Sequence, residues 1–210
     1  MMILMIKGDA MVNIIIIAGM PASGKTTIAR KLSQVFGYPI LEKDAIKEEL
    51  FDVMGFNNYA EKRKHDVAAT AVLLRCTESL LQGSTSFICV NNFRPEVQPR
   101  LQSIIDNADC NCVTVFFSGN ADIFYKRYVE RDNNHLRHPG HVLQDRYALN
   151  SRECASYEMT REEFAEKFEK LGMAEFKISG PRIEVNATYP ENIDVERLVS
   201  DIKQALAICT

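Results

Sequence analysis

Apolar and polar positions along this chain fall into blocks whose period switches, and the switches predict alternating strands and helices. Asn13-Ile14-Ile15-Ile16-Ile17-Ala18 is an uninterrupted apolar run rich in β-branched residues, the pattern of a parallel strand covered on both faces. The period then lengthens. Ile28, Leu32, Val35 and Phe36 recur at helical spacing and predict a helix over 26–36. Residues 38–41 read as a second strand ending in Glu42-Lys43-Asp44, followed by a helix over 45–54 with Ile46, Leu50, Val53 and Met54 on one face. Residues 59–82 predict a long helix with Val67, Ala71, Leu74 and Leu81 among its apolar positions, closed by Gly83. A third strand (85–90), a helix (96–107), a fourth strand (112–117) and a helix from 121 to about 131 follow. Residues 133–141 are polar, carry Pro139-Gly140 and read as a loop, with a weaker helical pattern over 142–157. Thr160-Arg161-Glu162-Glu163 has capping-box spacing and opens a helix with Phe164, Phe168 and Leu171 on one face. A last strand (182–186) and an amphipathic helix (193–208) complete an α/β pattern with mostly parallel strands.

Composition narrows the function classes. A length of 210 residues, 46 % hydrophobic and 25 % charged, suits one domain over 11–210 behind a tail of residues 1–10. The net charge of −3 supplies no global field to draw in nucleic acid or an anionic membrane. The apolar start, residues 1–6, is too short for a signal or membrane segment. Six cysteines form no C-x-x-C pair, which points to reduced thiols and a cytoplasmic setting.

The chemistry centres on Gly19-Met20-Pro21-Ala22-Ser23-Gly24-Lys25-Thr26, which fills every defined position of G-x-x-x-x-G-K-[ST] between a predicted strand and a predicted helix. Such a loop converges backbone N–H groups on phosphates at a helix N-terminus. Lys25 would reach the β/γ-phosphates and Thr26 would ligate Mg²⁺. In an open parallel sheet the ligand lies beyond the carboxyl ends of the strands, so residues just after each strand become candidates. Asp44 follows the second strand and could accept a proton from an attacking hydroxyl, or cap the next helix. Asn91, Asn92 and Arg94 follow the third. Asn91 is a neutral ligand for a hard cation, so the metal would lean on Thr26, the phosphates and Asp44. Arg94 could fork onto an acceptor group or stand solvated. Arg127 and Arg131 share a helix face, and with Arg137, His138 and Arg146 beyond them they predict a lid over about 132–146 that neutralises transition-state charge. His135, His138 and His141 are spaced by three, but without an acidic or cysteine partner at zinc spacing they are better read as shaping the lid or touching substrate.

Gly19 through Thr27, Lys43-Asp44-Ala45-Ile46-Lys47-Glu48-Glu49-Leu50, Asn91-Asn92-Phe93-Arg94-Pro95 and Arg127 through Arg137-His138-Pro139-Gly140-His141 together resemble the P-loop kinases of the polynucleotide kinase, zeta toxin and chloramphenicol phosphotransferase type. The resemblance implies a three-layer P-loop NTPase fold with a five-stranded parallel sheet in the order 2-3-1-4-5 and a helical lid. It implies ATP with Mg²⁺ as donor, held by Gly19, Ala22, Ser23, Gly24, Lys25, Thr26 and Thr27, with Arg127 near the adenine, Arg131 and Arg137 on the phosphates and Thr188 bordering the base. Asp44 would act as base, with Asn92, Arg94 and His138 on the substrate. The expected activity is transfer of the γ-phosphoryl group to a hydroxyl of a small molecule. A polynucleotide 5′-hydroxyl kinase and a nucleotide-binding switch are the alternatives, the first weighed against by the acidic chain.

Overall fold

The structure is a computed structural model that describes residues 11–134, 137–148 and 159–208. Five strands, β1 (Val12–Gly19), β2 (Ile40–Glu42), β3 (Phe87–Val90), β4 (Cys110–Ser118) and β5 (Arg182–Asn186), form one parallel sheet in the order β2-β3-β1-β4-β5. This is the order implied by the resemblance. Central β1 explains itself: Ile14, Ile15, Ile16 and Ile17 are all fully buried because the sheet is covered on both faces.

The pleat sends alternate residues to opposite layers. Ile15 and Ile17 join one core with Ile28 and Leu32 of α1 (Lys25–Phe36), Phe124 of α5 (Ala121–Asn133), Phe164 of α7 (Arg161–Lys170) and Ile202 of α8 (Val195–Ile208). Ile14 and Ile16 face the other, with Leu73 and Leu81 of α3 (Tyr59–Gln82) and Leu101 of α4 (Gln98–Asp106). The capping box of α7 is present, with Glu163 N–H donating to Thr160 Oγ1 and Thr160 N–H to Glu163 Oε2.

A smaller cluster fixes the lid. Phe51 of α2 (Lys43–Met54) packs with Phe56 and Tyr147. The rings of His65, His138 and His141 surround Phe51. Residues 139–142, read from sequence as loop, form a short helix α6 (Pro139–Val142) whose N-terminus is capped by the His138 side chain. The helix expected from 142 to 157 does not form over 143–148. Tyr147 instead exchanges backbone hydrogen bonds with Phe56 at 2.8 and 3.0 Å, which holds the chain extended. The rest of that expected helix, and His135, lie outside the described residues.

Two phase errors also emerge. α2 begins at Lys43 rather than Ala45, so Glu42 takes the cap position and Asp44 sits inside the first turn. In α3 the expected Leu74 and Leu81 are buried, but the buried face also takes in His65, Ala69, Leu73 and Thr77, while Val67 is 65 % exposed. Val53 and Met54 of α2 are likewise exposed, because that helix docks through Phe51 and its polar first turn instead of an apolar stripe.

Gly140 lies so close to Phe51 that a Cβ there would sit 2.3 Å from the ring's Cδ2. Phe51 is fully buried and has no room to yield. Gly140→Ala should therefore cost about 1–3 kcal/mol of stability, the usual range for overpacking, read in a urea titration. An unchanged midpoint would mean that the lid does not dock on Phe51 in solution.

Candidate active site

The loop between β1 and α1 is built by a close approach. Gly19 has φ +125°, and a Cβ on it would stand 2.2 Å from the Phe117 carbonyl oxygen of β4, so no side chain fits. The neighbouring Met20 N–H donates to that same carbonyl at 3.3 Å. Ala22 (φ 59°) and Gly24 (φ 83°) then turn through the left-handed region, which curls backbone N–H groups into an anion-binding concavity. A non-glycine residue in that region marks strain held at a working loop. α1 follows with no side-chain cap and no acidic residue in its first turn. Its first N–H groups and positive dipole end are therefore open to an anion.

Lys25 is 8 % exposed and lies back along the loop, donating to the Met20 carbonyl at 2.5 Å and reaching Ser23 Oγ at 3.4 Å. Burial pushes its pKa down to about 7, opposed by the charges of Asp44 and Glu42 and reinforced by Arg131. Ser23 spends its hydroxyl on the Met20 carbonyl at 2.7 Å, which leaves its backbone N–H as the group available to a ligand.

A cavity of about 390 Å³ opens over this loop, lined by residues that include 21–27, Glu42, Asp44, Asn91, Asn92 and four arginines, Arg30, Arg127, Arg131 and Arg137. Arg131 is the informative one. Its Nε and one Nη are buried without a hydrogen-bond partner, which is costly unless a ligand supplies acceptors. It stacks over Tyr128 and approaches Asp132 at 3.7 Å. Arg137 pairs with the same Asp132 at 2.8 Å. Asp132, 2 % exposed, thus sets both arginines. Sequence reading missed it, because it falls at the helix–loop border with no motif of its own. Arg127 donates to the carbonyls of Ala187 and Thr188, tying α5 to the end of β5. Thr188 accepts from Asn120 N–H through its hydroxyl and lines neither this cavity nor the one described next.

The Thr26 hydroxyl donates to Glu42 Oε1 at 2.6 Å. Burial raises the Glu42 pKa while that hydrogen bond lowers it. Glu42 is a second residue missed from sequence, although its place at the end of β2 was a usable signal. Thr26, Glu42 and the buried Asn91 offer hard oxygen donors in one cavity. That donor set fits Mg²⁺, which is typically held through one or two carboxylates together with substrate phosphates.

Asp44 lines this cavity and also a second one of about 480 Å³. Its side chain keeps 39 % of its surface open toward the cleft. Burial on its protein side would raise the carboxyl, but His141, Lys43, Arg137 and Lys47 outweigh that and hold it well below the usual carboxylate range. His141 is itself pushed down by burial, against the opposing effects of Glu48 and Asp44, so at neutral pH the lysines and Arg137 do most of this. Asn92 and Arg94 line the second cavity, where Arg94 stands 3.5 Å from Asp66. His138 does not line either cavity: its Nε2–H donates to Asp52 at 3.0 Å and its Nδ1 accepts from Gly140 N–H. Its place is a lid latch, and the substrate role expected of it does not fit; His141 lines the second cavity instead.

Comparisons agree with this plan. The profile of the AAA domain family matches residues 14–149. A crystal structure from Chloroflexus aurantiacus, provisionally assigned as a kinase, superposes with a TM-score of 0.77 at 27 % identity, covering 94 % of this chain and all of that one. A shikimate kinase from Acinetobacter baumannii (TM-score 0.54, 16 % identity, 93 % and 92 % of the two chains) and a gluconokinase from Sinorhizobium meliloti (0.53, 14 %, 93 % and 91 %) share the fold. A cytidylate kinase from Pyrobaculum islandicum is 41 % identical over 54 residues, which span 23 % of this chain and 29 % of that relative. The fold is a kinase-like P-loop fold, which generally implies nucleotide binding.

The depressed Lys25 makes nucleotide binding pH-dependent. Phosphate oxygens favour the charged amine, so the bound state holds a proton that the free state loses above about pH 7. Affinity is then full below that pH and falls as pH rises through it, by up to about tenfold per unit. Calorimetry near pH 8.5 in buffers of different ionisation enthalpy should show uptake approaching one proton per nucleotide, lost in Lys25→Met. Equal, negligible uptake in both proteins would contradict this.

Proposed function

The chain belongs to the AAA domain family, a family of P-loop kinases, and we propose that it is an ATP-dependent kinase that transfers the γ-phosphoryl group to a hydroxyl of a small molecule. The observation that carries this is the double exposure of Asp44. The same carboxylate borders the phosphate-loop cavity and a second cavity of substrate size. A purely nucleotide-binding switch has no need of the second cavity.

In this reading the loop N–H groups, Lys25, Arg131 and Arg137 grip the triphosphate. Thr26 and Glu42 would hold Mg²⁺, which when bound supplies charge neutralisation at the β- and γ-phosphates. Asp44 accepts the hydrogen of the acceptor hydroxyl and aims its oxygen at the γ-phosphorus. The new O–P bond forms as the bond to the bridging oxygen of ADP breaks, and the proton passes to Asp44 and then to solvent. A carboxylate held this acidic is a weak base. That suits phosphoryl transfer, whose loose transition state needs orientation first and proton removal late. The two unpartnered donors of Arg131 gain acceptors only when phosphate is present, so part of its stabilisation is reserved for the loaded site.

Purified protein with γ-labelled ATP and Mg²⁺, offered pooled nucleosides, sugars, sugar acids and a 5′-hydroxyl oligonucleotide, should move label onto a small-molecule pool and lose this in Lys25→Ala. Label on the oligonucleotide alone would favour a polynucleotide kinase, and ATP binding without transfer a switch. With the acceptor found, Asp44→Asn should lower turnover by about 10²–10⁴, the usual worth of a general base, with ATP affinity barely changed. Undiminished turnover would remove Asp44 from the mechanism.

A further inference from the structure

The second cavity is far more positive than the chain as a whole. Eight lysine and arginine side chains line it against three carboxylates, Asp44, Asp66 and Glu96, on a protein whose net charge is −3. The imbalance is built in at close range. Asp66 of α3 accepts from Lys43 at 2.8 Å and Lys47 at 2.9 Å through one oxygen, and its other oxygen faces Arg94 at 3.5 Å. One carboxylate is thus shared by three cations, all substantially buried, since their side chains are 10, 12 and 29 % exposed. Lys167 of α7 also lines the cavity and has no carboxylate partner among the described residues; its charge rests near the Phe168 ring at 5.7 Å.

The cations press on one another. Burial lowers the Lys167 pKa, and among the charges around it Arg137, Lys47 and Arg94 lower it further while Asp132 opposes them. Burial likewise pushes Lys62 down to about 7, helped by Lys47, Lys167 and Arg137. Lys47, Lys62, Lys167, Arg94 and Arg137 therefore line one space with only partial neutralisation: Asp66 is shared by Lys47 and Arg94 together with Lys43, Asp132 serves Arg137, and Lys62 rests on the carbonyls of His141 and Leu143. Crowding like charges in a partly desolvated pocket is unfavourable unless something anionic enters. The nucleotide does not fill that need: its phosphates belong over the loop, in the other cavity.

We propose that the second cavity binds an acceptor carrying its own anionic group, a phosphate or a carboxylate, seated among Lys47, Arg94 and Lys167, with the acceptor's hydroxyl directed back to Asp44. This rests on the kinase reading and specifies its substrate class. Asp44 sets the polarity. Its carboxylate repels an anionic group and accepts from a hydroxyl, so the charged end lies toward Arg94 and Lys167 and the reacting oxygen on the Asp44 side. Val67, Ala71, Leu74 and Phe168 also line the cavity and offer apolar surface to a chain or ring portion of the acceptor. A phosphate as the reacting group itself, as in a nucleoside monophosphate, would have to lie against Asp44.

Two experiments test this, and they fail separately from the kinase reading. First, protein saturated with AMP-PNP and Mg²⁺, so that the loop is filled, is titrated calorimetrically with inorganic phosphate and with malonate. Binding of either is expected, weakened at least about tenfold by Arg94→Met or Lys167→Met, the scale of one charged hydrogen bond. Arg94→Lys should restore part of it, and unchanged unfolding midpoints show that the variants fold. No binding of either anion, or binding indifferent to both substitutions, overturns the proposal. Second, γ-labelled ATP is offered matched alcohols with and without the charged group, glycerol against glycerol 3-phosphate and glucose against gluconate. A preference of about 100-fold or more in kcat/KM for a charged member supports the proposal. Equal use of the neutral members, or label moving onto the phosphate of a nucleoside monophosphate, overturns it. Anion binding without transfer to any acceptor refutes the kinase reading while leaving the anion site standing.

Discussion

The site depends on how closely two neighbouring strands approach at one residue. Gly19 ends β1 pressed against the Phe117 carbonyl of β4, with no space for a Cβ. That contact fixes where the chain leaves the sheet, and the left-handed turns at Ala22 and Gly24 follow from it. The turns in turn leave the start of α1 uncapped and Lys25 buried. β1 tolerates such a demand because it is clamped on both edges by parallel partners and on both faces by apolar cores. The central strand is the most rigid platform the fold offers, and the most strained backbone of the described site is attached to it.

Around that platform the electrostatics are deliberately uneven. Asp132 orders two arginines and Asp66 orders two lysines and an arginine. Each carboxylate is a positioning group that leaves positive charge in surplus on its side of the cleft. Asp44 stands where the two surpluses meet. The lid belongs to the same network: Arg137 reaches the nucleotide side, His141 the second cavity, and His138 and Tyr147 latch the segment to Asp52 at 3.0 and 2.7 Å.

Much of this was legible before any coordinates. The four isoleucines of β1 and the glycine loop announce themselves through local pattern, and Asp44 and Arg131 through position relative to predicted elements. What stayed hidden depends on contacts between distant residues. Glu42 matters because it meets Thr26 across the cleft, and Asp66 because α3 rotates it toward α2, a phase the apolar positions Val67 and Ala71 had suggested wrongly. The His138-Pro139-Gly140-His141 run reads as shaping the lid or touching substrate, and its two histidines divide: His138 is spent on Asp52 and on capping α6, while His141 lines the second cavity. Periodicity cannot distinguish a residue facing a core from one facing a filled ligand cavity, since both avoid bulk water.

The central claim is that Asp44 stands between a bound γ-phosphate and an acceptor space. A crystal structure with AMP-PNP and Mg²⁺ examines it most directly. The account predicts phosphates enclosed by residues 20–26, the unpartnered donors of Arg131 satisfied by phosphate oxygens, and the γ-phosphate facing Asp44 across a gap the size of one oxygen, with the second cavity still open. A γ-phosphate turned away from Asp44, or a nucleotide that fills the second cavity, would contradict it.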